Sequence, residues 1–131
     1  MIMPYSTFDG TCEESFLLYE QVFGGKIQHL SKYGDIPENP DTPMSSELKN
    51  KVMHAQMMLT EQGGISGADA IWATDKGNSV SIHAHLSDEK TARQVFLALS
   101  EDGVVIGELQ TNPPPDERGI SGSVKDKYGF T

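Results

Sequence analysis

Cysteine is almost absent from this chain. Cys12 is the only one, so no intrachain disulfide can form and the fold must rest on its own core. A reducing cytoplasm is the expected compartment. Basic charge is also scarce. Ten Lys and Arg stand against nineteen Asp and Glu, for a net charge of -9 and a pI of about 4.7. Such a chain repels phosphate backbones and anionic lipid, which disfavours nucleic-acid and membrane-surface roles. No apolar run approaches the length of a transmembrane helix. The opening Met1 to Ser6 has no basic region and no long apolar stretch, so no signal peptide is expected. Gly24-Gly25 and Gly63-Gly64 lack the Walker lysine and the dinucleotide fingerprint, so neither is a phosphate loop. Zinc-finger spacing and a Ser-His-Asp arrangement are missing too.

What remains reads as one globular domain. The 131 residues are 37% hydrophobic and 22% charged, enough to bury a core without staples. Met3 to Phe8 is expected as a short strand. Thr11 then caps a helix, with Glu14 completing a capping box. Cys12, Phe16, Tyr19 and Phe23 form its apolar stripe, and Gly24-Gly25 stops it. Lys26 to Tyr33 is expected as a strand, and the proline-bearing Asp35 to Asn50 as a long mobile loop. Lys51 to Thr60 alternates as a strand. His54, Gln56 and Met58 share one face; Met53, Ala55, Met57 and Leu59 share the other. Gly63-Gly64 turns the chain, Ile65 to Ala68 is a short strand, and Asp69 to Asn78 crosses over.

The pattern then recurs. Ser79 to Leu86 alternates cleanly, with Val80, Ile82, Ala84 and Leu86 on one face and Ser81, His83 and His85 on the other. Ser87 or Asp88 caps a second helix with the stripe Ala92, Val95, Phe96 and Leu99, stopped at Gly103. Val104 to Gln110 is strand-like and Gly122 to Lys125 offers another strand. Asn112 to Asp116, with three prolines, cannot be a central strand. Asp9 and Gly24 lie fifteen positions apart, as do Asp88 and Gly103, and the two pairs are offset by 79, which suggests duplication.

Several segments resemble the vicinal oxygen chelate (glyoxalase/bleomycin-resistance/dioxygenase) superfamily, and its PhnB-like branch in particular. They are Pro4-Tyr5-Ser6-Thr7-Phe8-Asp9-Gly10, Tyr19-Glu20-Gln21-Val22-Phe23-Gly24-Gly25, Tyr33-Gly34-Asp35, Val52-Met53-His54-Ala55, Ile65-Ser66-Gly67-Ala68-Asp69 and Asp126-Lys127-Tyr128-Gly129-Phe130. The resemblance implies an α+β fold of two βαβββ modules, over residues 1–69 and 79–131. Together they form a curved mixed sheet with helices on its convex side and a cleft on its concave side. It also implies a homodimer. Metal-dependent relatives hold a divalent ion with His, Glu or Gln on the first and last strand of each half. Here Pro4 stands at the first of these positions, the 79-residue offset makes His83 the matching position in the second half, and Ser66 or Asp69 ends the first half. The last strand of the second half is largely absent before Thr131, so the metal set is expected to be incomplete.

The strongest local signal is Ser81, His83 and His85 opposite a fully apolar face. Two histidines two apart on a strand can share a metal or flank a substrate; they can equally be ordinary histidines on a wet sheet face. His54 and Gln56 could converge with His83 across the sheet, or His54 could be structural. Asp69 is a base or ligand candidate, although an aspartate there more often closes a turn. Cys12 lies in the first turn of a helix, where the dipole lowers a thiol pKa, yet its place on the apolar stripe favours simple burial. Trp72 could close over an apolar ligand or pack on its own domain or a partner.

These residues support a PhnB-like protein that binds a small organic molecule in a cleft. His54, Gln56, Ser81, His83 and His85 are the expected contacts, and His83 is a candidate metal ligand. A divalent-metal-dependent enzyme of lyase, isomerase or dioxygenase type and a non-catalytic sequestration protein are the alternatives. Some PhnB-like sequences carry methyltransferase-like names, but no motif here would bind a methyl-donor nucleotide.

Overall fold

The alternation of Lys51 to Thr60 becomes a strand because one of its faces has a helix to cover it. The structure is a computed structural model describing residues 1–131. It divides into two compact units, Met1–Asp75 and Lys76–Thr131.

The first unit runs β1 (Tyr5–Phe8), α1 (Cys12–Phe23), β2 (Lys26–Lys32), α2 (Ser46–Asn50), β3 (Val52–Met58) and β4 (Gly64–Asp69). The strands form one mixed sheet in the order β1-β4-β3-β2. β1 runs parallel to β4, and the other pairs are antiparallel. This is the βαβββ module the sequence predicts. Phe8, Cys12, Phe16, Val52, Ala55, Met57 and Ile65 are fully buried between α1 and the sheet. Phe8 and Phe16 meet edge to face, 6.0 Å between ring centres, the arrangement favoured by the aromatic quadrupole. Gly67 makes that contact possible: a Cβ there would come within 2.5 Å of the Ser6 carbonyl oxygen and 3.1 Å of the Phe8 ring.

Two local expectations change. Thr11 holds the N-cap position but its side chain makes no capping hydrogen bond. Instead the Cys12 N–H donates to Asp69 Oδ1 at 2.9 Å, so a carboxylate from the end of β4 replaces the local capping box. At the other end Gly24 takes the left-handed conformation, φ 70°, and donates to Glu20 O at 2.9 Å, as the glycine stop predicts. The Glu20 carboxylate then accepts the Ile27 N–H at 2.9 Å, tying the helix to the start of β2. Asp35 to Asn50, read as loop throughout, contains a 3-10 turn ending at Asp35 and the short helix α2. Ser45 caps α2 by accepting from Leu48 N at 3.1 Å, a local signal hidden among the prolines.

The second unit contains α3 (Glu89–Ser100) followed by the antiparallel hairpin β5 (Val104–Thr111) and β6 (Ile120–Lys125). Asp88 is the cap, accepting the Thr91 N–H at 2.8 Å. Val95 is buried, and Ala92, Phe96 and Leu99 on the same stripe are half-buried. The clean alternation of Ser79 to Leu86 forms no strand. Its single ladder-like bond runs from Ile82 N–H to Thr131 O at 2.9 Å. Alternation marks faces, but a strand also needs a neighbour along its length, and within this unit none lies there. Val80 and Ile82 accordingly stay exposed.

The two units share a detailed plan. α1 and α3 each have twelve residues, with caps at Thr11 and Asp88, 77 residues apart. Lys26 pairs with Met58 as Val104 pairs with Lys125, 78 residues on along the first strand. Each hairpin then carries a register shift at the same step, between Ile27 and His29 and between Val105 and Gly107. Gly25 and Gly103 precede these pairs, and a Cβ on either would run into the carbonyl oxygen of Met58 or Lys125. The matching offsets from the caps and the strand pairs are 77 and 78, beside the 79 that relates Asp9 to Asp88 and Gly24 to Gly103.

Candidate functional site

In the first unit, the sheet face away from α1 carries His54, Gln56 and Met58 from β3. The opposite residues Ala55 and Met57 are buried against the helix. β4 contributes little bulk to this open face, since Gly64, Ser66 and Ala68 are all small. Tyr5 on β1 therefore reaches across β4 to the ring of His54. Their planes are 18° apart and their centres 5.8 Å apart. Tyr5 Oη lies 3.3 Å from His54 Nδ1.

On the far side of His54 lies His29, its ring centre 5.7 Å away and tilted by 39°. The register shift in β2 explains its presence. Gln28 is the extra residue, so Gln28 and His29 can both serve one face although they are neighbours in sequence. Gln56 Nε2 donates to Gln28 Oε1 at 3.1 Å, and His29 contacts His54. Ser31 completes the arrangement. Its hydroxyl donates to the His54 carbonyl at 3.4 Å, and Oγ sits 3.2 Å from His29 Nε2. With the hydroxyl proton engaged there, Oγ is the acceptor for a His29 Nε2–H, which leaves the lone pair of a neutral ring on Nδ1. The Tyr5 phenol has a raised pKa, chiefly because burial disfavours the phenolate, with Cys12 and Tyr33 adding to it. It stays protonated through the physiological range.

The predicted residues thus fall into two groups. His54 and Gln56 join an unforeseen set made of Tyr5, Gln28, His29 and Ser31. Ser81, His83 and His85 belong to the second unit. There His83 and His85 stack at 6.4 Å with planes 19° apart, and all three residues are exposed.

Asp69 is a structural carboxylate. It is 6% exposed, Oδ1 accepts from Cys12 N, and Oδ2 accepts from Val52 N at 2.8 Å. Each oxygen holds a backbone N–H, so the role the structure shows for Asp69 is to join α1 to β3. Cys12 is fully buried, and its thiol is pushed up to about 12 by burial first, then by Asp69 and Glu13. Burial outweighs the helix dipole, as its place on the stripe implies. Trp72 is 68% exposed and does not close on its own core.

The metal positions implied for the first half do not fit a cation. Pro4 has no donor, Ser66 Oγ bonds the Met3 sulfur at 3.0 Å, and Asp69 is engaged. No three His, Cys, Asp or Glu side chains converge on one point. The open face instead presents aromatic and imidazole rings beside an amide pair. That surface can stack a flat molecule and exchange hydrogen bonds with it.

Solved structures share this fold. Protein PA1353 from Pseudomonas aeruginosa is 28% identical with a TM-score of 0.80, covering 99% of this chain and 92% of its own. The PhnB protein from Bacillus cereus is 22% identical with a TM-score of 0.75, covering 98% and 93%. No protein-family model matches the chain, nor does any curated protein. The chain has a PhnB-like α+β fold with a curved sheet, and none of its helices is long and apolar enough to cross a membrane.

Proposed function

We propose that this PhnB-like protein binds a small organic molecule on the open face of the first unit's sheet. The observation that carries this reading is the row of Tyr5, His54 and His29, spaced 5.8 and 5.7 Å between ring centres. The Gln28–Gln56 amide pair lies beside it. Rings that bury one side of a planar ligand, with imidazole and amide groups to orient it, are common furniture of small-molecule sites. Ser81, His83 and His85 form a second contact group, to be tested separately. Binding without turnover is favoured over a metal-dependent lyase, isomerase or dioxygenase, because the donors at the implied metal positions of the first half are engaged or missing.

A homodimer accords with the apolar surface of the second unit. Val104 and Ile106, on β5, are 61% and 59% exposed, and exposed apolar strand surface marks association sites. A reducing cytoplasm accords with one buried, unpaired cysteine.

The test is a thermal-shift screen of the full chain against small planar compounds bearing carbonyl, hydroxyl or amide groups. A hit should lose its stabilisation in His54→Ala and weaken in Tyr5→Phe. A hit that His83→Ala with His85→Ala abolishes, while His54→Ala leaves it intact, would move the site to the second group. Hits unaffected by every one of these changes would refute both assignments.

A further inference from the structure

We infer that His29 and His54 form a two-imidazole site for a first-row transition-metal cation, on β2 and β3 rather than on the strands where the family resemblance places metal. A histidine that ligates a metal almost always gives its other ring nitrogen to an oxygen, which fixes the tautomer and aims the free lone pair. Both rings have that partner. His29 Nε2 faces Ser31 Oγ at 3.2 Å, and His54 Nδ1 faces Tyr5 Oη at 3.3 Å; in the ligating tautomer each of these nitrogens donates its N–H to that oxygen. The nitrogens left for a cation are His29 Nδ1 and His54 Nε2.

The ring spacing agrees. A metal–imidazole bond of 2.0–2.1 Å puts each ring centre about 3.2 Å from the ion, so two rings on one ion lie at most about 6.4 Å apart. His29 and His54 are 5.7 Å apart and tilted by 39°, inside that limit. The His83–His85 pair stands at 6.4 Å with nearly parallel planes. It would need its two nitrogens on opposite sides of the ion.

Imidazole donors select nickel, copper and zinc over magnesium and calcium, which want oxygen. Only two protein ligands converge, so water or a chelating small molecule fills the remaining positions. The cation would lie on the same face as the proposed organic ligand, and metal uptake alone does not depend on that reading.

The experiment titrates the full chain with Ni2+ alone, followed by calorimetry. One equivalent should bind, and His29→Ala and His54→Ala should each weaken binding at least tenfold. Ser31→Ala and Tyr5→Phe, which keep both ligands, should weaken it by a smaller factor. His83→Ala combined with His85→Ala should leave it unchanged. Absence of binding, or binding that survives both His29→Ala and His54→Ala, would overturn the site, as would loss only in the His83/His85 variant. Far-UV circular dichroism of each variant separates lost ligation from lost fold. Failure here with intact compound binding in the thermal-shift screen would refute the metal site alone.

Discussion

The carboxylate of Asp69 caps the helix that begins at Cys12, from 57 residues further along the chain. Its second oxygen holds Val52 N–H at 2.8 Å, so one side chain joins the helix start, the head of β3 and the end of β4. Asp69→Ala leaves two buried N–H groups without acceptors and should cost about 3 kcal/mol or more. Asp69→Asn, which keeps one acceptor oxygen, should cost less. Urea unfolding of both variants checks the order; equal stability of Asp69→Ala and the parent would contradict it.

The thiol of Cys12 gives an alkaline signature. Its pKa in the fold is about 12, against a reference of 9.0. The protonated form is favoured by folding, so the contribution is fully present below pH 9.0 and is lost as pH rises toward about 12. Stability should fall over that window more steeply in the parent than in Cys12→Ala. Alkylation by iodoacetamide at pH 8 should be negligible in the folded chain and rapid in urea; fast labelling under native conditions would show that the thiol is accessible.

Asp88 predicts an acid signature of the opposite sign. Hydrogen bonds from the Thr91 N–H, then from its hydroxyl, hold the Asp88 carboxyl below the reference of 3.8. Its contribution is therefore present above pH 3.8 and is lost as pH falls through the lower folded value. Asp88→Ala should lower Tm at pH 7, and the gap to the parent should narrow as pH falls below 3.8. A gap that persists in acid would mean that the side chain acts through something other than its charge.

Two glycines should be intolerant for a shared reason. Gly25→Ala and Gly103→Ala each drive a Cβ into a strand carbonyl, while Gly63→Ala meets nothing within 4 Å. The first two should destabilise by about 1–3 kcal/mol or more, as overpacking does, and the third should be near neutral. Thermal unfolding of the three variants decides it.

The first module was largely legible because its signals are local. The stripe of Cys12, Phe16 and Tyr19, the stop at Gly24 and the alternation around Ala55 and Met57 all act within a few residues. What was missed depends on distance. Thr11 and Glu14 form a plausible capping box, and only the folded chain shows that Asp69 takes the role. Sequence alone does not place His29, because strict alternation puts Gln28 and His29 on opposite faces, and the register shift that aligns them depends on pairing with β3. Tyr5 stands in sequence only as part of a family-like segment; its contact with His54 needs the small side chains of the intervening β4. Gln28 and His29, two adjacent polar residues between Ile27 and Leu30, are the sequence signal that points to His29. Ser79 to Leu86 failed in the other direction, since its pattern is faultless and its neighbour is missing within the unit.

The paired register shifts have a consequence for how such a chain can change. In the first hairpin the residues at this step are Gln28 and His29; in the second they are Ile106 and Gly107. The backbone irregularity is repeated while its side chains are wholly different. An irregularity kept in two copies acts as a fixed socket whose fittings are interchangeable. Two neighbouring substitutions can furnish or strip one copy, leaving the buried layer beneath and the other copy as they were.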